Sequence, residues 1–411
     1  MTDKRLLVHV DLDREPHLVG RMWVRSTRGR ESATFEYDAA WLREPRRFAL
    51  EPALVLGHGP QHTAAGRRLF GAFGDSAPDR WGRLLIQREE RRKAREENRA
   101  PRTLTEVDYL LGVADIARQG ALRFSESEGG PFFAAGVQIP PIVRLSALLN
   151  AALQITADGG SDEDLKLLLA PGSSLGGSRP KASVIDRDGS LAIAKFPQHG
   201  DLMPINRWEA VALTLAAKGS IATPQWRIED VAGRPVLLLR RFDRIGEQRI
   251  PFLSAMSMLD AEDNDQRSYL EIADALRQYG AHPEDDCAQL WRRIVFSIVI
   301  ANTDDHLRNH GFLYDAAGGW RLAPAYDLNP VPLDIKPRVL TTTIDEIDGT
   351  ASLELALQVA EHFGVKPDAA RNIVTEVRAP VRNWHVAAKS VGLSRDEIDR
   401  MASAFEYSEP K

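Results

Sequence analysis

The sequence has very little cysteine: Cys287 is the one cysteine among 411 residues. A single cysteine excludes an intrachain disulfide framework and a cysteine-rich metal site, and it fits a reducing compartment. An excess of one charge is also lacking, since 53 basic and 58 acidic residues give a formal net charge of −5. No net positive charge therefore attracts the whole chain to nucleic acid or to an anionic membrane.

Long hydrophobic runs are lacking as well. The most apolar stretch, residues 294–301, is far too short to span a bilayer, and the first residues contain no apolar region typical of secretory signals. Hydrophobic residues make up 43% and charged residues 27% of the chain, which excludes collagen-like and wholly disordered proteins. The sequence thus predicts a globular, soluble protein of the cytoplasm with no membrane partner.

Short β-rich runs dominate the N-terminal part. Residues 6–12, 18–24 and 33–37 are separated by turn-forming residues, and they predict a small sheet. A helix is predicted to follow, with Ser76 as its cap. Its charged continuation over residues 88–99 mixes both signs, and we interpret it as a solvated helix face.

The pattern changes at residues 126–141, where clustered Gly, Ser and Pro are typical of a linker. Strands and helices then alternate before the chain becomes mostly helical. The predicted elements are a hairpin of residues 182–185 and 191–196, a helix over 206–218, a hairpin of 226–231 and 235–241, and, after residue 242, helices interrupted by a hairpin over 311–322.

The densest group of chemically useful side chains is Asn302-Thr-Asp-Asp-His-Leu-Arg-Asn309. Asp304 and Asn309 have the Asp-x4-Asn spacing of a phosphotransfer catalytic loop. A carboxylate there can accept the proton of an attacking hydroxyl, and a neutral amide oxygen can hold a magnesium ion. A predicted hairpin then leads to Asp327, in the position of a second magnesium-binding carboxylate. The structural alternative is a capped helix end with a polar turn.

Three upstream segments fit the same chemistry. Lys195 ends an apolar strand, where its ammonium needs an anionic partner; nucleotide phosphates would serve, with Glu209 as a candidate orienting group, and snorkelling is the alternative. Residues 172–181 lack a Walker A motif but could cradle phosphates through backbone N–H groups; otherwise they form a surface loop. The basic run 240–244 could offer backbone groups to an adenine edge, or be a surface strand end.

Together these motifs resemble the HipA family of bacterial toxin kinases, the toxin halves of type II toxin–antitoxin pairs. The segments that carry the resemblance are Ser173-Ser-Leu-Gly-Gly-Ser-Arg-Pro-Lys181, Ala192-Ile-Ala-Lys195-Phe-Pro, Arg241-Phe-Asp-Arg244, Thr303-Asp-Asp-His-Leu-Arg-Asn309, Pro324-Ala-Tyr-Asp327 and Gly71-Ala-Phe-Gly-Asp-Ser-Ala-Pro-Asp79. The resemblance implies an α+β fold, in which a protein-kinase-like two-lobed core follows an additional β-rich subdomain. The expected divisions are the N-terminal subdomain 1–125, the linker 126–141, the strand-rich N-lobe with the Gly-rich loop 142–245, and the helical C-lobe 246–411.

The resemblance also implies roles for single residues in an ATP- and Mg²⁺-dependent Ser/Thr protein kinase. Asp304 would be the catalytic base, and Asn309 and Asp327 would hold magnesium. The residues expected at the ATP site are Gly176, Gly177, Ser178, Arg179, Pro180, Lys181, Lys195, Arg240, Arg241, Phe242, His306, Leu307, Arg308, Asn309, Tyr326 and Asp327. The family's self-phosphorylated regulatory serine matches Ser174, with Ser173 adjacent, and a phosphate there would repel the phosphates of ATP.

The resemblance further implies a HipB-like helix-turn-helix antitoxin, DNA contact only through that antitoxin, and a substrate in translation, with an aminoacyl-tRNA synthetase as one candidate. Two other functions stay open: a small-molecule phosphotransferase, which uses the same Asp-x4-Asn and later Asp, and a non-catalytic corepressor that binds the antitoxin. The sequence departs from the family pattern at residues 178–180 and at Asp305. Asp305 is either a third carboxylate beside the metal or a loop residue.

Overall fold

The computed structural model describes residues 2–27, 30–172 and 177–409, and its secondary structure is α+β. The strands are β1 Thr2–Leu12, β2 Glu15–Thr27, β3 Arg30–Tyr37, β4 Gln61–His62, β5 Leu122–Ser125, β6 Lys181–Ile185, β7 Leu191–Lys195, β8 Trp226–Val231, β9 Arg234–Arg240, β10 Arg244–Ile245, β11 Gln248–Arg249, β12 Phe252–Ser254, β13 Gly311–Asp315 and β14 Gly319–Leu322. The helices are α1 Ala39–Arg43, α2 Gly71–Asp75, α3 Arg80–Glu96, α4 Glu106–Gly112, α5 Leu145–Thr156, α6 Asp162–Leu169, α7 Ile205–Lys218, α8 Ala255–Met258, α9 Tyr269–Tyr279, α10 Pro283–Val299, α11 Leu353–Gln358, α12 Pro367–Arg382, α13 Trp384–Ser390 and α14 Arg395–Phe405.

The chain divides into two compact units. The first consists of Met1–Gly200 with Asp230–Leu253, and the second of Asp201–Glu229 with Ser254–Lys411. The finer division at residues 125, 141 and 245 stays a prediction.

An antiparallel sheet with strand order β4-β3-β2-β1-β5 forms the beginning of the first unit. The three predicted N-terminal strands lie within β1, β2 and β3, so that prediction is confirmed. All five residues from Leu6 to Val10 are buried, which means that both faces of β1 are covered. The β1–β2 register shifts between Val8 and His9, as at a β-bulge.

A second set of strands in the first unit carries residues predicted to bind nucleotide. β6 and β7 form the predicted antiparallel hairpin, and β9 pairs with β7. These strands pack against α3, α5 and α6 in a cluster that includes Trp81, Leu85, Leu148, Leu168 and Phe196. Since full burial of a large apolar side chain contributes about 1.5–3 kcal/mol, this cluster stabilises the base of the Gly-rich segment.

Gly172 is required by packing at that base. A Cβ atom at this position would lie 2.5 Å from Leu85 Cδ1 and 2.8 Å from the Leu168 carbonyl oxygen. Neither distance is compatible with a side chain in a close-packed interior. The first glycine of the Gly-rich segment therefore has a structural reason that is independent of any ligand.

Helix α3 begins after Asp79 and not at Ser76, so the predicted cap is wrong. Asp79 Oδ1 accepts a hydrogen bond from Gly82 N at 2.7 Å, whereas Ser76 ends α2. Both residue types are good caps, and the choice depends on where the chain leaves α2. The charged face of α3 is also less solvated than predicted, because Glu89 and Arg92 are buried as an ion pair of 2.7 Å.

Helices dominate the second unit. Trp291 and Ile294 of α10 are fully buried, and Cys287 on the same helix lies in the core as predicted. β13 and β14 form the predicted hairpin. The helix predicted over residues 206–218 is confirmed as α7. Among the residues that the structure describes, no helix is both long enough and apolar enough to span a bilayer.

An aromatic cluster fixes α7 to the C-terminal helices of this unit. The rings of Trp384 and Phe405 stack with centroids 4.7 Å apart, and Trp208 of α7 lies 6.0 Å from Trp384. Such aromatic pairs add about 0.5–1.5 kcal/mol beyond the burial of their area. The end of the chain therefore stabilises the helical framework that carries the candidate site.

Candidate functional site

The predicted catalytic loop leaves the end of the buried helix α10. The backbone of Ala301 adopts a left-handed conformation with φ of 51°, which is uncommon for a residue other than glycine. Asn302 N then donates to Ser297 O at 2.9 Å, so the chain turns sharply where the helix stops. Strained backbone of this kind is concentrated at functional sites.

The two motif residues of this loop differ in exposure. The Asp304 side chain is 69% exposed, whereas Asn309 is buried at the end of a 3₁₀ turn over Leu307–Asn309. Asn309 Nδ2 donates to the Asp304 backbone oxygen at 3.1 Å. Because the amide nitrogen is used in this way, Asn309 Oδ1 remains as the atom that could bind a cation.

Asp305 points the other way, into the protein. Its Oδ2 accepts from Tyr269 OH at 2.6 Å and from Ser297 Oγ at 3.1 Å, and its Oδ1 lies 3.1 Å from His310 Nε2. Protein groups therefore surround both oxygens, which favours the loop role over a third carboxylate beside a metal. The sequence offered no sign of this, because Tyr269 is 36 residues away along the chain.

The environment of Asp305 keeps it ionised. Burial alone would raise the pKa of this carboxyl, but the His310 ring and the donated hydrogen bonds outweigh burial and lower it below its ordinary value. Burial and the neighbouring Asp305 charge raise the pKa of Tyr269 well above its ordinary value, so its hydroxyl stays a donor. Asp305 is thus a fixed anchor for the loop that carries Asp304.

The hairpin β13–β14 brings a second loop to the first. Tyr326 OH donates to the Arg308 backbone oxygen at 2.7 Å, and Asn329 N donates to Asn302 Oδ1 at 3.0 Å. Asp327, between these two tethers, has a left-handed backbone with φ of 59°, a conformation that Asp tolerates better than most residues. The structure therefore brings the Asn309 loop and the Asp327 loop together, as the motif spacing predicts.

The oxygen donors of these loops fit the chemistry of magnesium. Asn309 Oδ1 and the Asp327 carboxylate are hard ligands of the kind that Mg²⁺ takes when substrate phosphates and waters complete its octahedron. Over residues 2–27, 30–172 and 177–409, no three His, Cys, Asp or Glu side chains form a metal-binding group.

The first unit holds the predicted phosphate-binding residues. Ser173, Ser174 and Gly176 lie outside the described residues. Gly177 has a φ of 107°, which only glycine adopts readily. Ser178 is exposed and Arg179 partly buried, and Pro180 is buried where its carbonyl oxygen accepts from Phe196 N at 2.9 Å.

Lys181 is buried at the end of this loop. Its Nζ lies 2.7 Å from Asp79 Oδ2, with side-chain exposures of 4% and 6%, and its carbonyl oxygen accepts from Trp81 Nε1 at 2.9 Å. Burial raises the pKa of Asp79, and the Lys181 ammonium offsets part of that shift. The Lys181 side chain thus connects the loop to α3.

Lys195 is partly buried at the end of β7, directly opposite Lys181 of β6. Residues directly opposite in an antiparallel pair lie on the same face of the sheet. The two lysines thus lie on one face of the sheet, and the ammonium of Lys181 is paired with Asp79. Glu209 is buried on α7 in the second unit, and its predicted role of orienting Lys195 stays a prediction.

The predicted adenine-binding segment is built around a buried arginine. Arg241 donates to Asp243 Oδ1 at 2.7 Å and to the Ala117 backbone oxygen at 2.8 Å. Burial alone would raise the pKa of Asp243, but the adjacent guanidinium groups lower it strongly. Arg240 is 46% exposed and lies 3.5 Å from Asp188, and Phe242 packs beside Phe252 with ring centroids 6.4 Å apart. The Arg241 side chain is therefore structural, which leaves backbone groups as the candidates for a base edge.

Comparison with known proteins connects both units to one family. The family model described as "HipA-like C-terminal domain" matches residues 173–384, and the model described as "HipA N-terminal domain" matches residues 10–104. The protein Y4mE of Sinorhizobium fredii, which carries the word kinase in its name, is 29% identical over 175 residues, covering 38% of this chain and 41% of that protein. A Haemophilus influenzae protein with a kinase name is 26% identical over 228 residues, covering 47% of this chain and 64% of the relative. The chain thus spans about half the length of these curated relatives.

A solved structure resembles the whole chain. It is titled as the HipA, HipB and operator DNA complex of the toxin–antitoxin system of Shewanella oneidensis, and the match has a TM-score of 0.64 at 16% identity, covering 97% of this chain and 95% of the other. At this identity the likeness shows the fold, and the predicted α+β class is confirmed. Since the C-terminal family description alone accounts for more than half of the residues, the chain belongs to the HipA family.

Proposed function

We propose that this protein is an ATP- and Mg²⁺-dependent Ser/Thr protein kinase that acts as the toxin of a toxin–antitoxin pair. One observation carries the proposal: two hydrogen-bonded loops hold Asp304, Asn309 and Asp327 in one region of the second unit. A carboxylate that can accept a proton, next to oxygen ligands for a cation, is what phosphoryl transfer requires. Family membership and the kinase names of the relatives support the same reaction class.

In this proposal each site residue has a separate chemical role. The exposed Asp304 carboxylate accepts the proton of the attacking hydroxyl, whose oxygen forms a bond to the γ-phosphorus as the bond to the ADP oxygen breaks. Asn309 Oδ1 and Asp327 would hold magnesium, which when bound neutralises phosphate charge. Asp305 keeps the loop in place through Tyr269 and Ser297, so that Asp304 is positioned before substrate arrives.

The remaining assignments are part of the same proposal. Backbone groups of residues 176–181 and the Lys195 side chain contact the ATP phosphates, the backbone of residues 240–242 contacts adenine, and residues 306–308 and Tyr326 line the nucleotide. Ser174, or the adjacent Ser173, receives a regulatory phosphate from the kinase itself. The partners are a HipB-like antitoxin, through which DNA is reached, and a translation protein such as an aminoacyl-tRNA synthetase in the cytoplasm. The Shewanella oneidensis complex, which its title describes as HipA with HipB and operator DNA, supports the antitoxin partner.

Intact-mass spectrometry of the purified chain, before and after incubation with Mg-ATP, tests the reaction. Asp304→Asn removes the proton acceptor and keeps the shape of the side chain. Asp399→Asn is a matched control, because Asp399 on α14 has the same 69% side-chain exposure as Asp304. We expect phosphate to be present on, or added to, the wild type and Asp399→Asn, but absent from Asp304→Asn.

Two results would contradict the proposal in different ways. Transfer of phosphate to free alcohols such as choline or an aminoglycoside, with no protein labelled, would make the chain a small-molecule phosphotransferase. Absence of transfer to any acceptor, together with intact binding of the antitoxin, would make it a non-catalytic corepressor.

A further inference from the structure

A segment without regular secondary structure lies along the candidate catalytic loop. Residues 331–342 follow the Asp327 loop and are tied to the backbone of the catalytic loop at several points. The Thr303 backbone oxygen accepts from Thr341 Oγ1 at 3.0 Å, and the Asp305 backbone oxygen accepts from Thr342 Oγ1 at 2.7 Å. Earlier in the segment, Val331 N donates to Ala301 O at 3.1 Å. These tethers hold the segment in register with the loop.

Lys336 of this segment places a positive charge beside Asp304. Its Nζ donates to the Thr303 backbone oxygen at 3.1 Å and lies 3.9 Å from Asp304 Oδ1. The Lys336 side chain is 40% exposed, so its ammonium can reach a molecule bound at the loop. An ammonium has three N–H groups, and the Thr303 contact occupies one of them.

The contact between Lys336 and Asp304 contributes little to the stability of the fold. Ion pairs between side chains as exposed as Lys336 and Asp304 contribute little to folding because water screens them. The basic residue within the catalytic loop itself, Arg308, is directed to another partner, since its guanidinium lies 3.1 Å from Asp263 Oδ1. In the part of the chain that the structure describes, Lys336 is thus a cation placed at the predicted base.

We propose that Lys336 is a catalytic residue that neutralises the phosphoryl group during its transfer. The inference rests on the proposed kinase function. An acceptor oxygen that donates its proton to Asp304 must lie about 2.6–3.2 Å from that carboxylate, and Lys336 Nζ lies 3.9 Å from Oδ1 of the carboxylate. The bond between the acceptor oxygen and the γ-phosphorus therefore forms within reach of the ammonium.

The positive charge of Lys336 acts on the phosphoryl group during its transfer. As the acceptor oxygen bonds to phosphorus, its proton passes to Asp304, and ADP leaves with the electron pair of the broken P–O bond. Negative charge then lies on the equatorial phosphoryl oxygens, where a preorganised cation stabilises the transition state more than the ground state. Lys336 is not consumed, and it donates hydrogen bonds to these oxygens as they move towards the acceptor.

The test compares Lys336→Gln and Lys336→Arg with Lys389→Gln, a change at an exposed lysine of α13. Gln keeps a donor that can bond to the Thr303 oxygen but removes the charge, and Arg keeps the charge. The rate of ADP formation from Mg-ATP is measured, because it counts transfer to every acceptor, the chain's own hydroxyls and water included. ATP affinity and thermal stability are measured on the same samples.

We expect Lys336→Gln to lower kcat by about 10²-fold, the scale for loss of one electrostatic contact at a transferring group. KM for ATP and the melting temperature should stay close to the wild-type values, Lys336→Arg should recover part of kcat, and Lys389→Gln should match the wild type. An unchanged kcat in Lys336→Gln would overturn the inference and leave the kinase proposal standing. A loss of kcat that follows a loss of folding or of ATP binding would assign a structural role and overturn it as well. A wild type that forms no ADP would instead overturn the kinase proposal, and this inference with it.

Discussion

The buried ion pair between Asp79 and Lys181 leads to a quantitative prediction about stability. The two side chains are 6% and 4% exposed and 2.7 Å apart. Burial raises the pKa of Asp79 even though Lys181 is adjacent, so the attraction does not fully offset the desolvation of the carboxylate. In such a pair the loss of one partner is costly, whereas loss of both charges is tolerated much better.

Lys181→Met retains most of the aliphatic stem and leaves the Asp79 carboxylate buried without its counter-ion, which we expect to cost about 3–5 kcal/mol. Asp79→Asn removes the carboxylate that pairs with the buried ammonium and should cost a similar amount. Asn Oδ1 can still accept from Gly82 N, so the cap of α3 is retained. The double variant has neither charge. The Asn amide then replaces a buried charge as the polar group at this position, so the cost should be about 1–3 kcal/mol and well below the sum of the single costs.

Thermal unfolding of the three variants measures these differences. For a unit of this size, about 2–4 °C is expected per kcal/mol, so each single variant should melt about 6–20 °C below the wild type. Arg371→Met is the control, because the Arg371–Asp368 pair is 64% and 92% exposed and should contribute less than about 1 kcal/mol. A Lys181→Met variant that melts with the wild type, or a double variant that loses the sum of both single effects, would refute the reasoning.

Three further predictions concern the supports of the two sites. Gly172→Ala places a Cβ 2.5 Å from Leu85 Cδ1 and should destabilise the protein by about 1–3 kcal/mol in urea unfolding; no change would show that the contact relaxes freely. Folding lowers the pKa of Asp305 below its ordinary value. The ionised carboxylate therefore stabilises the protein fully above the unfolded-state pKa, and this stabilisation is lost as the pH falls through the folded-state pKa. Melting temperatures measured between about pH 2 and 7 should fall less with acid in Asp305→Asn than in the wild type. Arg241→Met should cost about 3–5 kcal/mol, because it leaves the buried Asp243 without one of its partners. Arg240→Met changes a position that is 46% exposed, so this variant should melt within a few degrees of the wild type. Equal losses of stability in the two variants would contradict the assignment of Arg241 as structural.

The sequence predicted what depends on neighbours along the chain. Residues 6–12 and 18–24 are rich in residue types that favour strands and are separated by turn residues. Both runs lie in the observed strands. Asp304 and Asn309 are five residues apart, so a single turn of chain places the Asn309 amide on the Asp304 backbone. Asp327 follows a hairpin whose two strands return the chain to its starting point, which is why its position beside the first loop was also predictable.

Local rules failed where two signals of the same kind lay close together. Ser76 and Asp79 are both strong helix caps three residues apart, and propensity alone does not separate them. The structure selects Asp79, since Ser76 is already engaged at the end of α2.

Only the tertiary structure shows what each motif residue is paired with. Lys181 meets Asp79 across 102 residues, and Asp305 meets Tyr269 across 36; neither distance along the chain has a signature in composition or periodicity. Lys336 likewise lies in an irregular segment with no recognisable motif, and it is brought to Asp304 by the tethers of residues 331–342. The family and the α+β class could be predicted from the sequence, because they follow from local pattern and residue type. The partners of the buried charges and the cation beside the predicted base were decided by folding, because burial and long-range contact, which set the energy of a charge, exist only once the chain is packed.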